Sequence, residues 1–140
     1  MTAEPGLALL DTSAAIALVV EDHDAHSATM EAVGGRRLGL SGHAWFETYS
    51  VLTRLPGGQR RSPADARRLL EHDFPESVFL DGRGSAELGP EIARLGISGG
   101  AVYDALVGAA ARQHGRRLVT GDQRARTTYE ALGVDIEIVT

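Results

Sequence analysis

Five apolar runs of three or four residues recur along the chain with helical patterning between them: Leu7–Leu10, Leu38–Leu40, Val78–Leu80, Leu118–Thr120 and Ile136–Val139. Runs this short read as strands, and helices between strands serve as crossovers. Strands joined in that way pair in parallel, so the pattern predicts an α/β domain around a mainly parallel sheet. The expected helices cover Ser13–Val20, Asp24–Val33, Gly42–Leu55, Ser62–Phe74, Ser85–Leu95, Gly99–His114 and Arg124–Leu132. Their limits come from punctuation: Pro5-Gly6 ahead of the first strand, Gly34-Gly35 and Pro56-Gly57-Gly58 as stops, Ser62-Pro63 as a cap and first turn, Gly115 as a terminator. With 140 residues and no internal repeat or long linker, the chain is expected to be one domain, 1–140, able to bury its own core.

There is no cysteine, so a disulfide framework and a thiolate metal site are both excluded, and any metal must be held by oxygen or imidazole. The first apolar run lacks a basic leader and is broken by Asp11, Thr12 and Ser13, from which a cytoplasmic protein without a membrane span is expected. A net charge of −5 speaks against a passive nucleic-acid coat, but not against a nuclease whose own site is acidic. All 14 basic residues are arginine. That fits codon bias in a GC-rich genome, and also phosphate recognition by arginine forks.

Five acidic residues on these helices have an arginine one turn away: Asp65 with Arg68, Glu71 with Arg67 and Arg68, Glu87 with Arg83, Glu91 with Arg94, Glu130 with Arg126. Such pairs belong to solvated faces. Asp104 and Glu47 have no such partner. Asp104 lies in an uncharged helical stretch, with only Gly100, Ala101, Val107 and Gly108 a turn away. Glu47 has His43, Ala44, Ser50 and Val51. Asp11 and Asp122 follow strands, where an aspartate ordinarily caps a helix. Ligands of open parallel sheets bind beyond the carboxyl ends of the strands, and the first turns of crossover helices lie at that same rim. All four acids are therefore expected to converge there, and their mutual repulsion calls for a hard divalent cation such as Mg²⁺ or Mn²⁺.

Asp11-Thr12-Ser13 after a strand, helical Glu47, helical Tyr103-Asp104-Ala105 and Thr120-Gly121-Asp122 after a strand resemble the PIN domain over essentially the whole chain. In size and order they are similar to its VapC branch, the toxins of bacterial toxin–antitoxin pairs. The resemblance implies a three-layer α/β/α domain and a Mg²⁺- or Mn²⁺-dependent endoribonuclease acting on structured RNA, either transfer or ribosomal. It also implies an antitoxin partner and a homodimer. Position by position, Asp11, Glu47, Asp104 and Asp122 fall on the acidic quartet. Asp11 and Asp104 would be the principal metal ligands; Glu47 and Asp122 would act through water or a second metal. Thr12 or Ser13 falls on the small polar position beside the first acid. No role carries over to Arg124 or Arg126.

Arg54, Arg60 and Arg61, with Arg67 and Arg68, crowd an interhelical turn, and two readings compete: a rim for RNA phosphates, or a solvated hairpin with local ion pairs. His23, His26, His43, His72 and His114 show no ligand-like pairing, and His114 suits a helix C-terminus. The apolar residues of the first two helices (among them Ile16, Leu18 and Met30) divide between core and partner surface in a way the sequence leaves open. A phosphorylatable receiver domain would need a lysine, which is absent. A metal-dependent phosphatase would release phosphate from small esters, and a non-catalytic RNA- or protein-binding module would tolerate acid-to-amide changes.

Overall fold

The computed structural model describes residues 6–140, so the Pro5 boundary lies outside the described residues. The elements run β1 (Leu7–Leu10), α1 (Thr12–Val19), α2 (His26–Val33), β2 (Arg37–Leu40), α3 (Ala44–Leu52), α4 (Pro63–Asp73), α5 (Gly82–Arg94), α6 (Ala101–Gln113), β3 (Leu118–Thr120), α7 (Gln123–Ala131) and β4 (Ile136–Ile138). The four strands are all parallel, in the order β2-β1-β3-β4. From β1 the chain steps outward to β2 and then returns across β1 to β3. The direction of winding therefore reverses between β1 and β3, and a crevice opens at their carboxyl ends.

The alternation of a pleated strand divides the core into two layers. Leu7, Leu9 and Leu118 pack with Leu88, Ala105, Ala109 and Tyr129, from α5, α6 and α7, and with Leu132 just past the end of α7. Ala8, Leu10, Leu40 and Val119 face the other way, onto Ala15, Val33, Leu52, Leu70 and Phe74. The architecture is thus three-layer α/β/α. Each fully buried leucine stabilises it by about 1.5–3 kcal/mol.

The expected strand at Val78–Leu80 is reduced to a single parallel bridge between Ser41 and Val78. Its approach to β2 starts like a ladder, with Glu76 N donating to the Leu38 carbonyl (3.0 Å) and Val78 N to the Leu40 carbonyl (3.1 Å). Gly42 N returns a bond to the Val78 carbonyl at 2.7 Å, but the Glu76 carbonyl receives none because Leu40 N donates instead to Ser77 Oγ at 2.9 Å. The 76–77 backbone also rides so close over β2 that a Cβ at Gly39 would stand 2.3 Å from the Glu76 carbonyl carbon. Gly39→Ala is accordingly expected to destabilise the protein by about 1–3 kcal/mol, read as a lower urea midpoint at an unchanged slope.

Helix starts follow local chemistry. Gly42 has φ of +56°, outside helical space, which moves the start of α3 to Ala44. Asp81 accepts from Gly84 N at 2.7 Å and starts α5 at Gly82, ahead of the expected Ser85. Ser62 caps α4 through Asp65 N, with Pro63 in the first turn, as expected. Of the anticipated ion pairs, Arg68–Asp65, Arg67–Glu71, Arg83–Glu87 and Arg126–Glu130 form. Glu91 instead takes both terminal nitrogens of Arg112, at 2.8 and 2.9 Å, which ties α5 to α6. Among the described residues no helix is long and apolar enough to cross a membrane.

Candidate active site

β1 and β3 are neighbours, and each runs into an aspartate that begins the next helix. Asp11 caps α1 by accepting from Ala14 N at 3.0 Å, and Asp122 caps α7 by accepting from Arg124 N at 2.9 Å. Capping and convergence are therefore both true of these two residues. Glu47 and Asp104 sit in the first turns of α3 and α6. Asp11, Glu47, Asp104 and Asp122 line one pocket of about 270 Å³, together with Thr12, Ser13, Ile16, Val107 and Tyr129.

Asp11 is only 3% exposed and is held from three sides. Its Oδ1 accepts from Ser13 Oγ at 2.6 Å as well as from Ala14 N, and its Oδ2 accepts from Tyr129 Oη at 2.9 Å. Burial raises its pKa, and hydrogen bonds from Ser13, Thr120, Ala14 and Tyr129 oppose that rise. Ser13 links the two strand ends. Its oxygen accepts from Gly121 N at 3.0 Å, which directs its proton towards Asp11. Thr12 Oγ1 donates to Glu47 Oε1 at 2.8 Å and anchors that side chain from the neighbouring helix. The small polar pair after Asp11 thus has two separate tasks.

Asp104 is half-buried, and its pKa is pushed up from 3.8 to about 6. Burial is the largest cause, followed by repulsion from Asp122, Asp11 and Glu47, while Arg124 acts weakly in the opposite direction. The helix N-terminus beneath Asp104 offsets only part of that cost. Such a site favours a cation. Among the described residues no group of three or more acidic or histidine side chains is drawn in tightly enough to hold a metal ion unaided. The all-oxygen donor set fits Mg²⁺ or Mn²⁺ equally well.

Arg54, Arg60 and Arg61 do not join this pocket. They lie beyond the C-terminal end of α3, while Glu47 is in its first turn. Arg61 lines a separate hollow with Val19, Val20, Leu52 and Leu55, and Arg60 Nε donates to the Leu55 carbonyl at 3.0 Å. The histidines are used locally. His26 Nδ1 donates to the Ala17 carbonyl at 2.9 Å, and His114 Nε2 to the Phe79 carbonyl at 3.0 Å. His43 stacks on the exposed ring of Tyr103 at 5.2 Å. Of the apolar residues in α1 and α2, Ala14, Ala15 and Val33 are core and Met30 is exposed.

Sequence reasoning missed Tyr129. It sits in Thr127-Thr128-Tyr129-Glu130, with no neighbour to suggest that its hydroxyl reaches an aspartate 118 residues away. Its period-matched burial with Ala125 and Leu132 marks it as core and nothing more.

The four-stranded parallel sheet carries an acidic crevice at the β1–β3 switch, and a PIN domain model matches residues 8–131. The chain is 47% identical over 135 residues to Ribonuclease VapC27 of Mycobacterium tuberculosis, covering 96% of this chain and 98% of that protein. The fold superposes on Mycobacterium tuberculosis VapC20, described as a Sarcin-Ricin loop cleaving toxin. There the TM-score is 0.67 at 19% identity, over 91% of this chain and 95% of the other. It also superposes on VapBC-5 of the same organism, a member of the VapBC family of toxin-antitoxin systems, with a TM-score of 0.57 at 20% identity over 96% and 98% of the two chains. The chain belongs to the PIN domain family and, within it, groups with the VapC ribonucleases.

Proposed function

We propose that this protein is a Mg²⁺- or Mn²⁺-dependent endoribonuclease, the toxin of a toxin–antitoxin pair, cutting structured RNA of the transfer or ribosomal class in the cytoplasm. The observation that carries the reading is the single pocket shared by Asp11, Glu47, Asp104 and Asp122. Its kinship with VapC27 and its likeness in fold to a Sarcin-Ricin loop cleaving toxin support the substrate class, and the likeness to VapBC-5 supports an antitoxin partner. A homodimer is part of the same reading.

Asp11 and Asp104 would hold the cation, and Glu47 and Asp122 would complete the site through water or around a second ion. When bound, the cation neutralises charge on the scissile phosphate and lowers the pKa of a bound water. Thr12 keeps Glu47 turned towards the pocket, and a site carboxylate takes the proton of the attacking water. The new P–O bond forms as the P–O3′ bond breaks, and the leaving O3′ is protonated. The products are a 5′-phosphate and a 3′-hydroxyl. Arg54, Arg60 and Arg61 stand off the pocket by about the length of α3, roughly 14 Å, within reach of a folded RNA bound at the carboxylates.

The test is purified protein with total bacterial RNA in Mg²⁺, in Mn²⁺ or in EDTA. Discrete fragments bearing 5′-phosphates and requiring the metal are expected. Fragments ending in a 2′,3′-cyclic phosphate, or cleavage that persists in EDTA, would overturn the proposal.

A further inference from the structure

Tyr129 has no packing reason to carry a hydroxyl, since phenylalanine would fill the same volume. A buried hydroxyl costs stability unless it is bonded, and this one is bonded to a carboxylate of the pocket. Its ring lies against α6 at Gly108, where a Cβ would stand 2.9 Å from Tyr129 Cδ1. Gly108 is one turn beyond Asp104, so the α6 segment that carries Asp104 also provides the seat for the ring. Burial, and then the charge of Asp11, push the phenol pKa well above its ordinary value.

Each carboxylate oxygen accepts through two lone pairs. Of the hydrogen bonds to Asp11, those from Ser13 Oγ and Ala14 N fall on Oδ1 and that from Tyr129 falls on Oδ2, with the Thr120 hydroxyl close to the same carboxylate. Resting on the function proposed above, we infer that Tyr129 is a positioning residue for the cation site: it takes one lone pair of Asp11 Oδ2 and presents the other to a divalent cation in the pocket shared with Glu47, Asp104 and Asp122. Asp11 is then a ligand through one oxygen only, with its rotamer locked by donors from β1–α1 and from α7. Residues that orient a metal ligand in this way typically change metal affinity or activity 10- to 100-fold when removed, about the same range expected here.

The test is Tyr129→Phe beside wild type and Leu132→Ala, a packing variant of the same core layer. Mn²⁺ alone is the probe, followed by titration calorimetry and by the rise in melting temperature it produces. The Mn²⁺ dependence of RNA cleavage is measured in parallel. Tyr129→Phe is expected to raise the Mn²⁺ midpoint about 10- to 100-fold, with KM for RNA unchanged and cleavage recovering at saturating Mn²⁺. Leu132→Ala is expected to melt lower with its Mn²⁺ midpoint in place. A wild-type midpoint in Tyr129→Phe would make the tyrosine a core residue and overturn the inference, as would an equal shift in Leu132→Ala. Either result leaves the nuclease reading standing. A wild type that neither binds Mn²⁺ nor cuts RNA would overturn both.

Discussion

Asp104→Asn is expected to lose cleavage by about 100- to 1,000-fold, the usual effect of removing one preorganised electrostatic group, and yet to melt higher than wild type in EDTA. Asparagine keeps the shape of the side chain but removes a charge that burial and three neighbouring carboxylates oppose. The sign follows from linkage. The unfolded carboxyl ionises near 3.8 and the folded one at about 6, so between those values the folded state binds the extra proton. Wild-type stability therefore falls as pH rises through that window, and the full penalty stands at pH 7. The variant escapes it. Because Asp104 is half-buried, solvent screens part of the repulsion, which leaves a gain of about 1 kcal/mol at pH 7 and none at pH 4. Melting curves at the two pH values read the difference, and saturating Mn²⁺ should remove it by offsetting the repulsion in wild type. A variant that cuts RNA at the wild-type rate would remove Asp104 from the site. One that melts lower at pH 7 would mean that its charge is already compensated within the fold.

Asp11→Ala is expected to move stability in the opposite direction, by about 3 kcal/mol, besides abolishing cleavage. Its carboxylate is the acceptor for the Ser13 and Tyr129 hydroxyls and for Ala14 N. Losing the cap costs about 1 kcal/mol, and each buried donor left without an acceptor about 1–3 kcal/mol. Relief of the buried charge returns part of that sum. The net loss is a large share of an ordinary domain's 5–15 kcal/mol and would show as a clear drop in the urea midpoint. Two aspartates of one pocket would then have stability effects of opposite sign. Equal signs would mean that the hydrogen-bonded and the repelled carboxylate are not distinguished as the geometry indicates.

The sheet and the four acids were legible for related reasons. A strand buried on both faces must read as a short apolar run, so Leu7–Leu10 and Leu118–Thr120 announce themselves, and an acid directly after such a run stands at the rim by construction. Asp104 and Glu47 stood out because local ion pairs follow helical spacing, and neither acid has one. The Val78–Leu80 run misled because its composition is that of a strand, whereas the loss of its ladder turns on Ser77 Oγ taking one backbone proton. The partner of Glu91 was misread because Arg94 is its neighbour in sequence and Arg112 its neighbour in space.

The sequence alone, then, determined what periodicity and local spacing encode: the class of fold, the run of elements, the end of the sheet that carries the acids, and the family whose motifs they match. Only the tertiary structure decided what depends on contacts between distant segments. It tied Ser13 to Gly121, Thr12 to Glu47 and Tyr129 to Asp11, and it left Arg54, Arg60 and Arg61 away from the pocket. The reason is physical: a hydrogen bond between residues 118 apart leaves no period in the chain, because it is set by how two helices pack on one sheet.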